Sequence, residues 1–234
     1  MDLSLAAEQS GQTLSTTIAS TLRAAISNGE LAPGSKLRLD ELRVTFGVSL
    51  SPLREALSRL SAEGFVVMED QRGYRVAPVS EENLIEVTKL RAMVECFALR
   101  ESIQQGTDKW EGEVVASLYR LNKLEKLETP HDQAAWEAAH RDLHYRLISA
   151  CGMPLLLQFS STLHDLNDRY RRLFLIQRPF DRTVRREHAD ICNAALERNA
   201  DQACEIMREH IERTGANIRK ALLKNGDAAL KQAA

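Results

Sequence analysis

The sequence has no run of about 18 apolar residues, so no segment of it is expected to span a membrane as a helix. Met1 to Ser10 carries Asp2 and Glu8 and no basic cluster, which is not the plan of a secretory leader. The cytoplasm is the expected compartment. Cysteine is scarce and scattered: Cys96, Cys151, Cys192 and Cys204, with no C-x-x-C pair. That excludes thiolate zinc fingers and thioredoxin-type chemistry, and leaves the four as small core residues. Neither His-Glu-x-x-His nor Gly-x-Ser-x-Gly occurs, so two common hydrolase signatures are missing. An excess of either charge is lacking too. The chain has 31 Lys and Arg against 33 Asp and Glu, and residues 1–78 hold eight basic and nine acidic residues. Any contact with a polyanion must therefore come from a local face, not from a global field.

What is present reads as two domains, residues 10–78 and 80–226. Ser15 to Asn28 has helical spacing, with Ile18, Leu22 and Ile26 four apart. Gly29-Glu-Leu-Ala-Pro-Gly34 breaks it. Asp40 to Phe46 is a short helix stopped by Gly47, and Val48-Ser49 makes a corner. A further helix has Pro52 in its first turn and Leu53, Ala56, Leu57 and Leu60 on its apolar face. Phe65 to Met68 and Tyr74 to Ala77 flank a glycine-bearing turn and read as a hairpin. This order predicts a winged helix-turn-helix. Pro78-Val79 is a short linker, and Ser80 followed by Glu81 and Glu82 starts a helix. Six helices follow. The first runs to about Gln105, and the second from Thr107 to near Leu127. The third opens at Thr129-Pro130, with Asp132 in its first turn, and ends near Gly152. The fourth spans Pro154 to Ile176, and Pro179 separates it from a fifth, Arg182 to Arg198. The sixth ends near Asn225 and Gly226. The fold class is mainly α: a winged helix followed by an antiparallel all-α bundle.

In the first domain, residues 49–63 form the candidate recognition helix. Its free backbone N–H groups can face a phosphate. Ser49, Ser51 and Arg54 are short or forked donors suited to phosphates and base edges, and Leu50 lies between the two serines. Arg43 precedes this helix, and Arg72 and Gly73 lie at the wing tip. The competing reading is a winged helix used for protein contacts. Ile26-x-x-Gly29-x-Leu31-x-Pro33-Gly34, Phe46-Gly-Val-Ser49, Pro52-Leu-Arg-Glu-Ala-Leu57-x-Arg59-Leu60, Glu63-Gly64 and Arg72-Gly73 resemble the GntR family of transcription regulators over about residues 13–78. The resemblance implies a homodimer on double-stranded operator DNA, with Arg54 and the start of its helix in the major groove. Leu50 stands where most members have arginine, and Asp40 where some carry a DNA-contacting arginine, so base preferences do not transfer.

In the second domain, His140 and His144 share a helix face. His188 and His210 each lie eleven residues from Asn199. Two antiparallel helices joined there would hold both imidazoles at one height, about 16 Å from the turn at 1.5 Å per residue. A third helix could bring His144 to the same point. Imidazole nitrogen suits Zn, Ni, Cu or Fe, and Mn with added oxygen ligands. The alternative is a set of solvated or singly hydrogen-bonded histidines. Leu143-His144-x-x-Leu147, His188-x-x-Ile191 and Met207-x-x-His210-Ile211 resemble the FadR-type all-helical (FCD) sensor domain. That resemblance implies one divalent metal, Zn first and Ni or Mn next, on His144, His188 and His210, with a small carboxylate at or beside it. Where the pattern has aspartate this chain has His140, so the fourth ligand is His140, a water or the effector itself. Arg91 and Glu95 match an Arg/Glu pair facing the family's pocket. Arg91 is a natural carboxylate fork, and the alternative is an ordinary i,i+4 surface pair. Gly106-x-x-x-Trp110-Glu111, Ala150-Cys-Gly-x-Pro154 and Arg169-Tyr-Arg-Arg172 resemble the carbon-starvation-induced branch, which responds to short dicarboxylates. His131 and His164 match nothing and are taken as structural or exposed. The expected function is a transcription regulator, a repressor, controlled by a small acid at the metal. The alternatives are a purely structural metal without an effector and, remotely, a metal-dependent hydrolase.

Overall fold

The computed structural model describes residues 13–70, 72–125, 133–175 and 182–232. The expectations placed on residues 10–12, Leu127, Thr129-Pro130, His131, Asp132, Ile176 and Pro179 lie outside them. The described chain falls into two compact units. Residues 13–83 and 165–175 form the first, and residues 84–164 and 182–232 the second.

The first unit opens with α1 (Leu14–Ser27), whose Ile18, Leu22 and Ile26 are fully buried, as their spacing of four demands. β1 (Lys36–Leu37) and α2 (Leu39–Phe46) follow. Gly47 closes α2 at φ 65°, a left-handed conformation that costs glycine nothing. α3 (Leu50–Ala62) starts from Ser49 as its N-cap, and Pro52 sits in its first turn, where the missing N–H is no loss. Leu53, Ala56, Leu57 and Leu60 turn inward. β2 (Val66–Glu69) and β3 (Gly73–Val76) form the hairpin. The sheet has a third strand that periodicity did not reveal. β1 pairs antiparallel with β3, Lys36 opposite Arg75, giving the order β1-β3-β2. Two residues are too few to show alternation.

The second unit is all helical: α4 (Glu81–Gln105), α5 (Asp108–Glu125), α6 (Gln133–Ile148), α7 (Pro154–Leu175), α8 (Arg182–Leu196) and α9 (Ala200–Gln232). The Ser80 hydroxyl accepts from the Asn83 N–H at 3.1 Å and caps α4. α9 runs past the end expected near Asn225 and Gly226. One glycine inside a helix costs only about 1 kcal/mol relative to alanine, and the alanines, leucine and lysine beyond it favour the helix. The α8–α9 turn is set by Arg198 at φ 60° and by Asn199, whose Oδ1 accepts from the Gln202 N–H at 3.2 Å. Leu99, Leu121, Leu143, Ile191, Met207 and Ile211 form the centre of this core. Among the described residues, no helix is long and apolar enough to cross a membrane.

α7 contributes to both units. Its second half packs Leu166 against the winged-helix core. The buried Tyr170 hydroxyl accepts from the Ser80 N–H at 3.1 Å and faces the Ser80 carbonyl and Asn83 Oδ1 as acceptors. Arg169 donates to the Ala77 carbonyl. The Pro78-Val79 linker is thus flanked by anchored residues.

Candidate metal centre and nucleic-acid interface

Histidines from three helices meet in the second unit. α6 supplies His140 and His144 one turn apart, α8 supplies His188, and α9 supplies His210. All four are buried. The His188 and His210 ring centroids are 4.8 Å apart, and His140 lies 4.6 Å from His144 and 5.0 Å from His188. One donor atom from each of the four falls within 4.8 Å of the others. Of the fourth-ligand alternatives left open by the sequence, His140 is a side chain already at the cluster. Trp136 stacks on it at 4.9 Å and orients its ring.

Two carboxylates stand behind the imidazoles. The His144 Nδ1 lies 3.1 Å from Glu95 Oε2, and the His210 Nδ1 lies 2.9 Å from Glu187 Oε2. An ionised carboxylate only accepts, so each Nδ1 carries the hydrogen and each Nε2 is left as a lone-pair donor. The His144 Nε2 is buried and has no hydrogen-bond partner. A buried imidazole nitrogen left so is costly unless something else takes its lone pair. A carboxylate, a histidine and a metal in series is the usual way a protein fixes the ligating tautomer. Burial pulls the His144 pKa down to about 4, against the opposing pull of Glu95. His210 is lowered well below its ordinary value, again chiefly by burial. Both are therefore neutral near pH 7, the form that ligates.

Arg91 and Glu95 are not an exposed surface pair. They are 3% and 0% exposed, with Arg91 Nε donating to Glu95 Oε1 at 2.6 Å. Burial alone would raise the Glu95 carboxyl, but the Arg91 charge and His164 hold it well below the usual range. His164, which matched no pattern, belongs to this network. Its Nε2 lies 3.0 Å from Glu95 Oε1 and 3.3 Å from Arg91 Nη2. One isolated histidine with no periodic partner gave no signal. Glu187 was missed as well, although it directly precedes His188; it also binds Arg213 through both carboxylate oxygens. Glu95, His144 and His164 form a second close group, but Arg91 already supplies its positive charge. His164 also lines a cleft of about 290 Å³ between α6 and α7, with Arg141, Tyr145, Ser160 and Ser161. Asp142 lines the same cleft and pairs with Arg120 and Arg146; it is not part of the histidine cluster.

On the first unit, Ser49, Ser51 and Arg54 are exposed on the leading turns of α3, and Leu50 is half-buried between them. The Ser49 hydroxyl makes no cap bond. Arg43 is exposed in the last turn of α2, Arg72 is exposed beside the wing turn, and Gly73 adopts φ 89°. The near-neutral charge count has a structural explanation. Arg23, Arg38, Arg59 and Arg75 pair with Glu63, Glu41, Glu55 and Glu69. Arg43, Arg54 and Arg72 have no ion pair among the described residues. Lys36, exposed on β1, has none either, and the other three lie on the candidate DNA-reading face.

Two families match the chain in succession. Residues 14–76 match the bacterial regulatory proteins of the gntR family, and residues 86–213 match the FCD domain. The chain belongs to the GntR family, with an FCD domain. It is 39% identical to the HTH-type transcriptional regulator BphR of Paraburkholderia xenovorans, over 85% of this chain and 82% of BphR. It is 33% identical to the HTH-type transcriptional repressor GlaR of Escherichia coli, over 86% of this chain and 93% of GlaR. Among solved structures, Escherichia coli McbR/YncC shares the fold with a TM-score of 0.74, at 19% identity, over 89% of this chain and 98% of that one. This GntR protein is a DNA-binding transcription regulator, not an enzyme.

Proposed function

We propose that this regulator represses transcription as a homodimer on an inverted-repeat operator, and that a small organic acid bound at a divalent metal in the FCD domain relieves it. The observation that carries this reading is the convergence of four buried imidazoles, with the His144 Nε2 lacking any other partner. His144, His188, His210 and His140 would hold the ion. Four neutral nitrogens suit zinc first and nickel next, and manganese least, because no carboxylate oxygen enters the set. The ion supplies a positive charge and a coordination position for a carboxylate oxygen. Glu95 and Glu187 stay behind the ligands, so the set itself brings no negative charge to offset the ion, and an anion is the favoured guest.

Arg91 plays a secondary part. Its Nε is held by Glu95, so an acid approaching it competes with a buried carboxylate at 2.6 Å. The effector is therefore anchored at the metal and tuned by Arg91, Glu95 and His164. A dicarboxylate fits, with its second group toward Arg91. α7 carries His164 in this network and, six residues further on, Tyr170 against Ser80 and Asn83. A shift of this one helix would reach the linker. Ser49, Leu50, Ser51 and Arg54 would enter the major groove, with Arg43, Arg72 and Gly73 on the flanking backbone. Half-sites lie about 34 Å apart, so small displacements weaken binding.

The test is binding to DNA upstream of the protein's own gene cluster, titrated with short mono- and dicarboxylic acids. Metal-loaded wild type should bind this DNA more tightly than random DNA and release it with at least one acid. Chelator-treated protein and His188→Ala should not respond. An acid that acts equally on all three places the pocket elsewhere. No response from loaded wild type leaves the metal a structural role only.

A further inference from the structure

Two of the four cysteines lie against each other. Cys96 is on α4 and Cys204 on α9, 108 residues apart in sequence, and both are buried free thiols. Cys96 Sγ donates to the Cys204 carbonyl at 3.3 Å, and Cys204 Sγ donates to the Cys96 carbonyl at 3.2 Å. Each sulfur therefore touches the other residue's backbone, as only closely approaching helices allow. The same two helices also meet where Gly215 faces Thr88, so closely that a Cβ on the glycine would lie 2.6 Å from the threonine side chain. Going from Thr88 to Cys96 along α4 corresponds to going back from Gly215 to Cys204 along α9, so the helices run antiparallel with small residues at both points. Cys151 and Cys192 have no such neighbour among the described residues; burial pushes the Cys192 thiol up to about 12.

We propose that Cys96 and Cys204 form a dithiol site that a peroxide oxidises reversibly to a disulfide joining α4 to α9. The surroundings favour Cys204 as the attacking sulfur. The Cys96 thiol, followed by the charges of Arg100 and Arg208, pulls the Cys204 thiol down to about 7 against the opposing effect of burial. The Cys96 thiol is raised by the same pairing. Nucleophilic attack requires the thiolate, and cations beside a thiol favour it. The Cys204 thiolate attacks one oxygen of hydrogen peroxide. The S–O bond forms, the O–O bond breaks, and the departing hydroxide takes up a proton as water. The Cys96 sulfur then attacks the sulfenic sulfur. The S–S bond forms, the S–O bond breaks, and the hydroxyl leaves as water with the Cys96 proton. Two thiols are oxidised and one peroxide is reduced to two waters.

The site is placed to matter. Cys96 is the next residue after Glu95, and Cys204 lies less than two turns before His210. A disulfide would replace two thiol–carbonyl hydrogen bonds with one covalent link between the helices that carry those groups. The proposal stands apart from the metal reading, since neither thiol is a ligand in it.

The test uses the intact protein, treated with hydrogen peroxide and then assayed for free thiols and by intact mass. Two of the four thiols should be lost, the chain should become lighter by two hydrogens, and dithiothreitol should restore both. Peptide mapping of the oxidised wild type, which needs no variant, should find the fragments holding Cys96 and Cys204 linked. Cys96→Ser should stop at a sulfenic acid that dimedone traps on Cys204. Retention of all four thiols overturns the proposal, as does a linkage through Cys151 or Cys192, or equal thiol loss in the Cys96→Ser, Cys204→Ser double variant.

Discussion

The His188 and His210 ring centroids are 4.8 Å apart, although the two residues lie 22 positions apart in the sequence. Each lies eleven residues from Asn199, the cap at the turn between α8 and α9. Two helices folded back at that turn carry equal rises, so the rings arrive at one height. The turn therefore sets half of the candidate site, and α6 completes it with His140 and His144.

Acid should destabilise the metal-free protein. Burial lowers His144 from its ordinary 6.5 to about 4, and His210 moves the same way. Between these values the unfolded chain binds protons that the folded chain refuses. Stability is then full above the unfolded pKa and is lost as pH falls through the folded one. The His144 shift alone corresponds to roughly 3 kcal/mol across that window. Urea midpoints of chelator-treated protein should fall between pH 7.5 and pH 4.5. Equal midpoints would contradict the buried neutral imidazoles.

Arg91→Ala should be strongly destabilising. It leaves the fully buried Glu95 without the cation that keeps it ionised, and breaking a buried pair on one side costs roughly 3–5 kcal/mol. Adding Glu95→Gln should recover part of that loss. Urea denaturation of the single and double variants checks this; a loss under about 1 kcal/mol for Arg91→Ala would show that the pair is not what holds the carboxylate.

Arg54→Ala should separate DNA binding from folding. Arg54 is exposed and has no ion pair among the described residues, so the melting temperature should hardly change. A lost bidentate base contact would cost roughly 1–3 kcal/mol of operator affinity and relax selectivity at that base pair. Anisotropy titrations on operator and random DNA measure both. Unchanged operator affinity would remove Arg54 from the interface.

Much of this was legible because the signals were local or periodic. The Ile18-Leu22-Ile26 spacing, Gly47 and the glycine-bearing hairpin turn mark the winged helix, and the symmetry of His188 and His210 about Asn199 needs only helix geometry. What escaped depends on contacts between helices distant in sequence. His164 reaches Arg91 and Glu95 across 73 and 69 residues, and Cys96 meets Cys204 across 108. Neither position has a spacing that points to its partner. β1 escaped for a different reason: two residues pair only because β3 is already there. The long α9 shows the opposite failure, since Gly226 reads as a stop but the strong helix formers beyond it carry the helix on.

The central claim is that His144, His188 and His210, with His140, hold one divalent ion. Elemental analysis of the purified protein, alongside the His144→Ala, His188→Ala, His210→Ala triple variant, tests it most directly. The wild type should carry about one equivalent of metal per chain, zinc before nickel, and its melting temperature should drop on chelation because a bound ion stabilises the native state by mass action. The triple variant should carry none and should ignore the chelator. Equal metal in the two proteins, or none in wild type reloaded with zinc or nickel, would contradict the account.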